Sequence, residues 1–179
     1  DTDRRVNRIM MRGYQQKKPC APAMRHRCVE WSCPANFYPD FSVWAENCWG
    51  INVVASMESL ISDIIINTED QRTTMRKHTK GGYANVLDEL WIVCKQYNAD
   101  MVLMYDQISC KGMDGLRGVF EEQAAARGVH MLWVAQDLLD SRTISKRDMR
   151  RQVNLYMQTV MGEEPVRPDL VDFDDALTW

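Results

Sequence analysis

Three short apolar runs constrain the fold of this chain most: "INVVASM" (51–57), "MVLMY" (101–105) and "VHMLWVA" (129–135). A strand wetted on one face alternates apolar and polar residues, whereas a strand covered on both faces need not. These runs scarcely alternate, and the first is rich in β-branched residues, which suit strands. "RHRCVEWS" (25–32) supplies a further strand candidate. Between and after the runs, apolar residues recur at helical spacing. In "YANVLDELWIVCKQYN", Val86, Leu87, Leu90, Val93, Cys94 and Tyr97 share one face. In "DGLRGVFEEQAAARG", Leu116, Val119, Phe120 and Ala124 point inward and Gly128 provides a stop. "SKRDMRRQVNLYMQTVMG" starts with a capping-box pair, Ser145 and Asp148, and ends at Gly162. Its stripe is Met149, Val153, Tyr156, Met157 and Val160. "DFSVWAENCW" reads as a short helix that Asp40 can cap. Residues 58–80 read as mostly helical, up to the "KGG" break.

Such alternation predicts an α/β fold, a doubly wound parallel sheet of about four strands with helices on both faces. Residues 51–56, 101–105 and 129–135 are expected as neighbouring central strands, with Leu103, Leu132 and Val134 buried. Residues 1–22 form an N-terminal helix and linker, ended by Pro19 and Pro22. Arg4, Arg8 and Arg12 make one stripe of that helix, facing solvent or another subunit, or alternatively binding phosphate. Residues 23–162 form the α/β domain. The acidic, Pro-broken residues 163–179 form an extended C-terminal arm lying on a neighbouring surface.

Composition excludes several classes. The 22 Lys and Arg against 25 Asp and Glu leave a mildly acidic chain, which argues against a general nucleic-acid-binding surface. No apolar run approaches a membrane span, and the opening stretch lacks a signal-peptide core. The six cysteines are sparse and form no Cys-x-x-Cys pair, so reduced thiols in a cytoplasmic protein are the expectation. Neither a Walker A loop nor a G-x-G-x-x-G fingerprint is present.

In open parallel sheets, ligands bind beyond the carboxyl ends of the strands. The loops there are "CPANF", "SMES", "QISCKG" and "QDLLDSR". Cys33, Cys110, Asp137, Asp140 and Arg142 should therefore share one rim, with Cys48 and Cys94 on helices behind it. Cys110 is the residue of interest: a loop filler, a nucleophile or a metal ligand. A cysteine nucleophile needs a base within reach, usually histidine. His26 and His130 lie near strand starts at the opposite edge and His78 precedes a glycine break, which disfavours that role. Ligation needs a thiolate, which the adjacent Lys111 would favour.

The segments "NADMVLMYDQISCKGM" and "RGVHMLWVAQDLLDSRTISKRDMRRQVNLYM" resemble the last α/β domain of 2-hydroxyacyl-CoA dehydratase and benzoyl-CoA reductase subunits. The shared features are "AD" before an apolar strand, a Ser-Cys-Lys loop, a helix ending in "RGV", and D-x-x-D-x-R before an Arg-bearing helix. Upstream, "VEWSCPANFYPDFSVWAENCWGINVVASM" resembles the same family, so the likeness spans about residues 1–161. It implies a four-iron four-sulfur cluster with Cys110 as one ligand and Ser109 and Lys111 as neighbours that could tune it. Asp137, Asp140 and Arg142 match the family's strand-end motif, although an Asp–Arg brace for the loop is the simpler role. The implied partners are a homologous second subunit, an ATP-hydrolysing iron–sulfur activator and an acyl-CoA. The implied chemistry is dehydration through a ketyl radical, or reduction of an aromatic ring in the benzoyl-CoA branch. A non-catalytic flavodoxin-like binding or assembly module is the contrasting possibility.

The family's other cluster cysteines lie in preceding domains, so this chain reads as the C-terminal part of a subunit or one piece of a split one. Cys33 stands where the family usually has Gly or Pro, and Cys20 and Cys28 match no family ligand. The isolated chain is therefore expected to be inactive.

Overall fold

A computed structural model describes residues 23–57 and 83–173, together with residues 5, 6, 8, 9, 12, 13 and 16. Four strands form one all-parallel sheet: β1 (His26–Trp31), β2 (Ile51–Ser56), β3 (Met101–Gln107) and β4 (His130–Gln136), in the order β2-β1-β3-β4. Helix α1 (Phe41–Trp49) links β1 to β2, and α2 (Tyr83–Tyr97) leads into β3. The short α3 (Lys111–Asp114) and α4 (Arg117–Arg127) join β3 to β4. Helix α5 (Lys146–Tyr156) follows β4 and continues as a π-helical turn, Met157–Met161.

Because successive strand residues point to opposite faces, each strand feeds two cores. On one face Cys28, Ile51, Leu103, Tyr105, Leu132 and Val134 pack with Phe41, Trp44 and Trp49 of α1 and Met149 and Val153 of α5. On the other, Val29, Trp31, Val102, Met104 and Trp133 meet Leu87, Leu90 and Val93 of α2 and Phe120 and Ala124 of α4. The doubly wound α/β architecture is thus present, with Leu103, Leu132 and Val134 buried.

Strand placement departs from expectation. β2 does not adjoin β3, because β1 lies between them. Among the described strands, β2 and β4 are the edges and β1 is central. The sequence of β1 is too polar to advertise that position, but each of its polar side chains is partnered. His26 meets Asp100 and Glu163, Arg27 Nε donates to the Tyr97 carbonyl, and Glu30 accepts from the Tyr105 hydroxyl. Satisfied polar groups can be buried in a central strand where unsatisfied ones could not.

Local corrections follow the same logic. Asp40 occupies the N-cap position of α1 without a side-chain cap bond; its contribution is the carbonyl that accepts the Trp44 N–H at 2.9 Å. Ser145 and Asp148 do form the capping box of α5. Val160, placed on the inward stripe by a 3.6-residue period, is 62% exposed. The wider π turn advances the register, so Met161 packs on the core in its place. Gly162 then closes the helix at φ +67°.

Residues 163–173 form an arm over α1 and α5, with one 3₁₀ turn at Pro168–Leu170 and Leu170 buried. Trp44 Nε1 donates to the Leu170 carbonyl (2.9 Å), and Asn154 Nδ2 to that of Val171 (2.8 Å). The described N-terminal residues 5, 6, 8, 9, 12 and 13 are helical, and Val6 and Ile9 are exposed. Arg4, Cys20, His78, the expected helix over 58–80 and residues 174–179 lie outside the described residues.

Candidate functional site

The strand order reverses between β1 and β3, so the carboxyl ends of these two strands flank the topological switch point. The loop after β1 begins with Ser32, a non-glycine residue at φ +71°, and places an exposed Cys33 at the edge. After β3, the Cys110 N–H closes a turn on the Gln107 carbonyl at 2.8 Å, leaving Cys110 half-buried. Ser109 and Lys111 are exposed beside it, and Gln107 Nε2 donates to Ser109 Oγ at 3.2 Å. The loop after β4 binds both neighbours. Ile108 N–H reaches the Gln136 carbonyl (3.1 Å), Gln136 Nε2 reaches the Cys33 carbonyl (2.9 Å) and Asn36 N–H reaches the Leu138 carbonyl (2.9 Å). Three loops therefore form one continuous rim.

Chemically, the rim residues differ. Asp137 accepts the N–H groups of Leu139 and Asp140, both at 2.9 Å, and shapes its own loop. Asp140 holds Arg142 through a forked ion pair, 2.6 Å at its shortest, and that pairing keeps the Asp140 carboxyl below its ordinary range. Arg142 remains largely exposed, and the pair braces the loop. The "DLLDSR" loop shares the edge with the Cys110 loop. Among the described residues, no group of three or more His, Cys, Asp or Glu side chains could hold a metal.

Three other thiols are buried. Cys28, in the middle of β1, is fully buried, and burial pushes its thiol well up. Burial likewise pushes Cys48 and Cys94 up to about 12. Thiols held protonated in an apolar core are inert. Cys94 is a core residue as expected, but it faces the amino edge of the sheet. It lines a cavity of about 720 Å³ with Trp91, Asn98, Asp100 and Arg127, because it lies just before the turn into β3. Cys33 and Cys110 are the two accessible thiols among the described residues.

For an iron–sulfur cluster the fit is partial. Cys110 is a half-buried thiol at the carboxyl end of β3, and Cys33 is the only other described thiol near that edge. Four-iron clusters are ordinarily held by four thiolates. The described residues therefore do not complete such a site.

Two polar groupings beneath the rim are not evident in the sequence. Tyr105, buried on β3, donates to Glu30 on β1; burial and then the Glu30 carboxylate push its phenol up, keeping it a donor. Arg150, 1% exposed, donates to the Tyr38 hydroxyl at 3.1 Å and lies 4.2 Å from the Phe173 ring centre. Its spacing of three and seven from Val153 and Met157 does place it on the inward stripe; only its charge argues otherwise. No family model, no curated protein and no solved structure matches this chain.

Proposed function

We propose that this chain is the cluster-bearing C-terminal part of a subunit of an iron–sulfur 2-hydroxyacyl-CoA dehydratase. The observation that carries the proposal is the position of Cys110: an accessible thiol at the carboxyl end of β3, beside the switch point of a parallel sheet. The Ser-Cys-Lys sequence around it is the family-like loop. In this role Cys110 supplies one thiolate, and a separate domain or chain supplies the ligands that the described residues lack. A homologous second subunit and an ATP-hydrolysing iron–sulfur activator are the partners, and a 2-hydroxyacyl-CoA is the substrate. The cluster, when bound, supplies low-potential electron transfer. The chain's own contribution is to hold Cys110 on a short turn and to brace the adjoining loop through Asp137, Asp140 and Arg142.

The test is anaerobic purification of the chain with its associated subunits. The expected preparation is brown with thiolate-to-iron absorption, and dehydrates a 2-hydroxyacyl-CoA when activator and reductant are supplied. Turnover of benzoyl-CoA instead would assign the reductase branch. Colourless, iron-free protein would leave a binding or assembly module.

A further inference from the structure

We propose that residues 163–173 form a strap whose closure is controlled by protonation of His26, independently of any chemistry at the Cys110 rim. His26 opens β1 at the amino edge of the sheet, and its side chain is 8% exposed. Its ring joins two carboxylates from different segments. Nδ1 lies 3.2 Å from Asp100 Oδ2, in the turn before β3, and Nε2 lies 2.9 Å from Glu163 Oε1, at the start of the strap. A neutral imidazole has one N–H and can donate to only one of them, presenting a lone pair to the other. The imidazolium donates to both.

The two carboxylates are not equally free to leave. Asp100 is fixed by β1 itself, since its Oδ1 accepts the Arg27 N–H at 2.6 Å. Glu163 immediately follows Gly162; its N–H donates to the Met157 carbonyl at 3.0 Å, and its carboxylate is otherwise held by Arg25, at 3.3 Å. Arg25 also donates to the Glu164 carbonyl at 2.5 Å. Among the remaining charged groups nearby, Arg27 is engaged with the Tyr97 carbonyl and His130 is exposed at the start of β4. Beyond Glu163, the strap is tied by the Val166 N–H to the Cys48 carbonyl (2.8 Å) and by the Cys48 thiol to the Arg167 carbonyl (3.7 Å). It therefore covers Cys48 and Trp44 of α1. It also ties down α5, the helix that emerges from the rim loop, through Asn154 and the Arg147–Asp172 pair.

The direction of control follows from linkage. Burial alone would lower the His26 pKa, but Asp100 and Glu163 outweigh it and the net shift is upward from 6.5. Protonation thus stabilises the closed strap. That stabilisation is complete below the ordinary histidine value and is lost as pH rises through the raised one. The strap should be tightest in mild acid and loosen towards alkaline pH.

Amide hydrogen exchange on the full chain tests this, with rates corrected for the intrinsic pH dependence. From about pH 5.5 to about pH 8.5, spanning the histidine range, protection at Val166, Arg167 and Leu170 should fall severalfold. Protection at Leu103 in the core should stay constant. Both His26→Gln, which cannot titrate, and Glu163→Gln, which removes the mobile carboxylate, should flatten the strap profile. NMR titration should also show the His26 pKa falling in Glu163→Gln. Strap protection independent of pH while His26 titrates, or an unchanged fall in His26→Gln, would overturn the proposal.

Discussion

Single residues in this chain act where geometry leaves no alternative. Gly50 ends α1 at φ +73°, and a β-carbon there would sit 2.3 Å from the Ala23 carbonyl oxygen. Left-handed backbone costs an ordinary residue about 1–2 kcal/mol, and the clash with backbone adds to it. Gly50→Ala should therefore destabilise the fold by at least about 1 kcal/mol in urea denaturation. Equal midpoints would show that the loop before β1 yields. The exposure of the cysteines is likewise a matter of position. The core placement of Cys94 was legible from helical spacing, and the rim placement of Cys110 from the end of an apolar run. The roles of His26, Glu30 and Arg150 were not legible, because their partners are distant in sequence: Asp100 and Glu163, Tyr105, and Tyr38 with Phe173.

Elements were legible where apolar periodicity and end signals agreed, and misread where local geometry changed the period. Helix α5 shows both. Its capping box at Ser145 and Asp148 follows from sequence, and Ser145→Ala should cost about 1 kcal/mol. Its C-terminal end does not follow, because the π turn moves Val160 into solvent and Met161 onto the core. Met157 is fully buried, so Met157→Ala should cost about 2–5 kcal/mol. Val160→Thr should change stability by less than about 0.5 kcal/mol, as at an ordinary surface site. Denaturant midpoints for the pair distinguish this register from an uninterrupted α-helix, in which both substitutions would be costly. The central position of β1 escaped sequence reading for a related reason: apolar content ranks strands by hydrophobicity, whereas pairing order also depends on how polar side chains are satisfied.

At the scale of the whole molecule, the sheet and its two helix layers were foreseeable from alternating patterns, because both faces of a parallel sheet must be covered. No helix of the described residues is long and apolar enough to cross a membrane. The candidate site is less complete than the fold. The order β2-β1-β3-β4 brings two accessible thiols to one edge, while Cys28, Cys48 and Cys94 are locked in the core. Anaerobic reconstitution of the isolated chain with iron and sulfide should consequently give a folded protein with far fewer than the about four irons of one cluster. A full complement would mean that this chain completes the site alone. The proposed role of Cys110 is tested most directly by the iron content and turnover of Cys110→Ser in a complex purified anaerobically with the proposed partner subunit. A serine hydroxyl is a poor substitute for a thiolate on iron, so iron and activity should fall together; full iron with full turnover would remove Cys110 from the ligands.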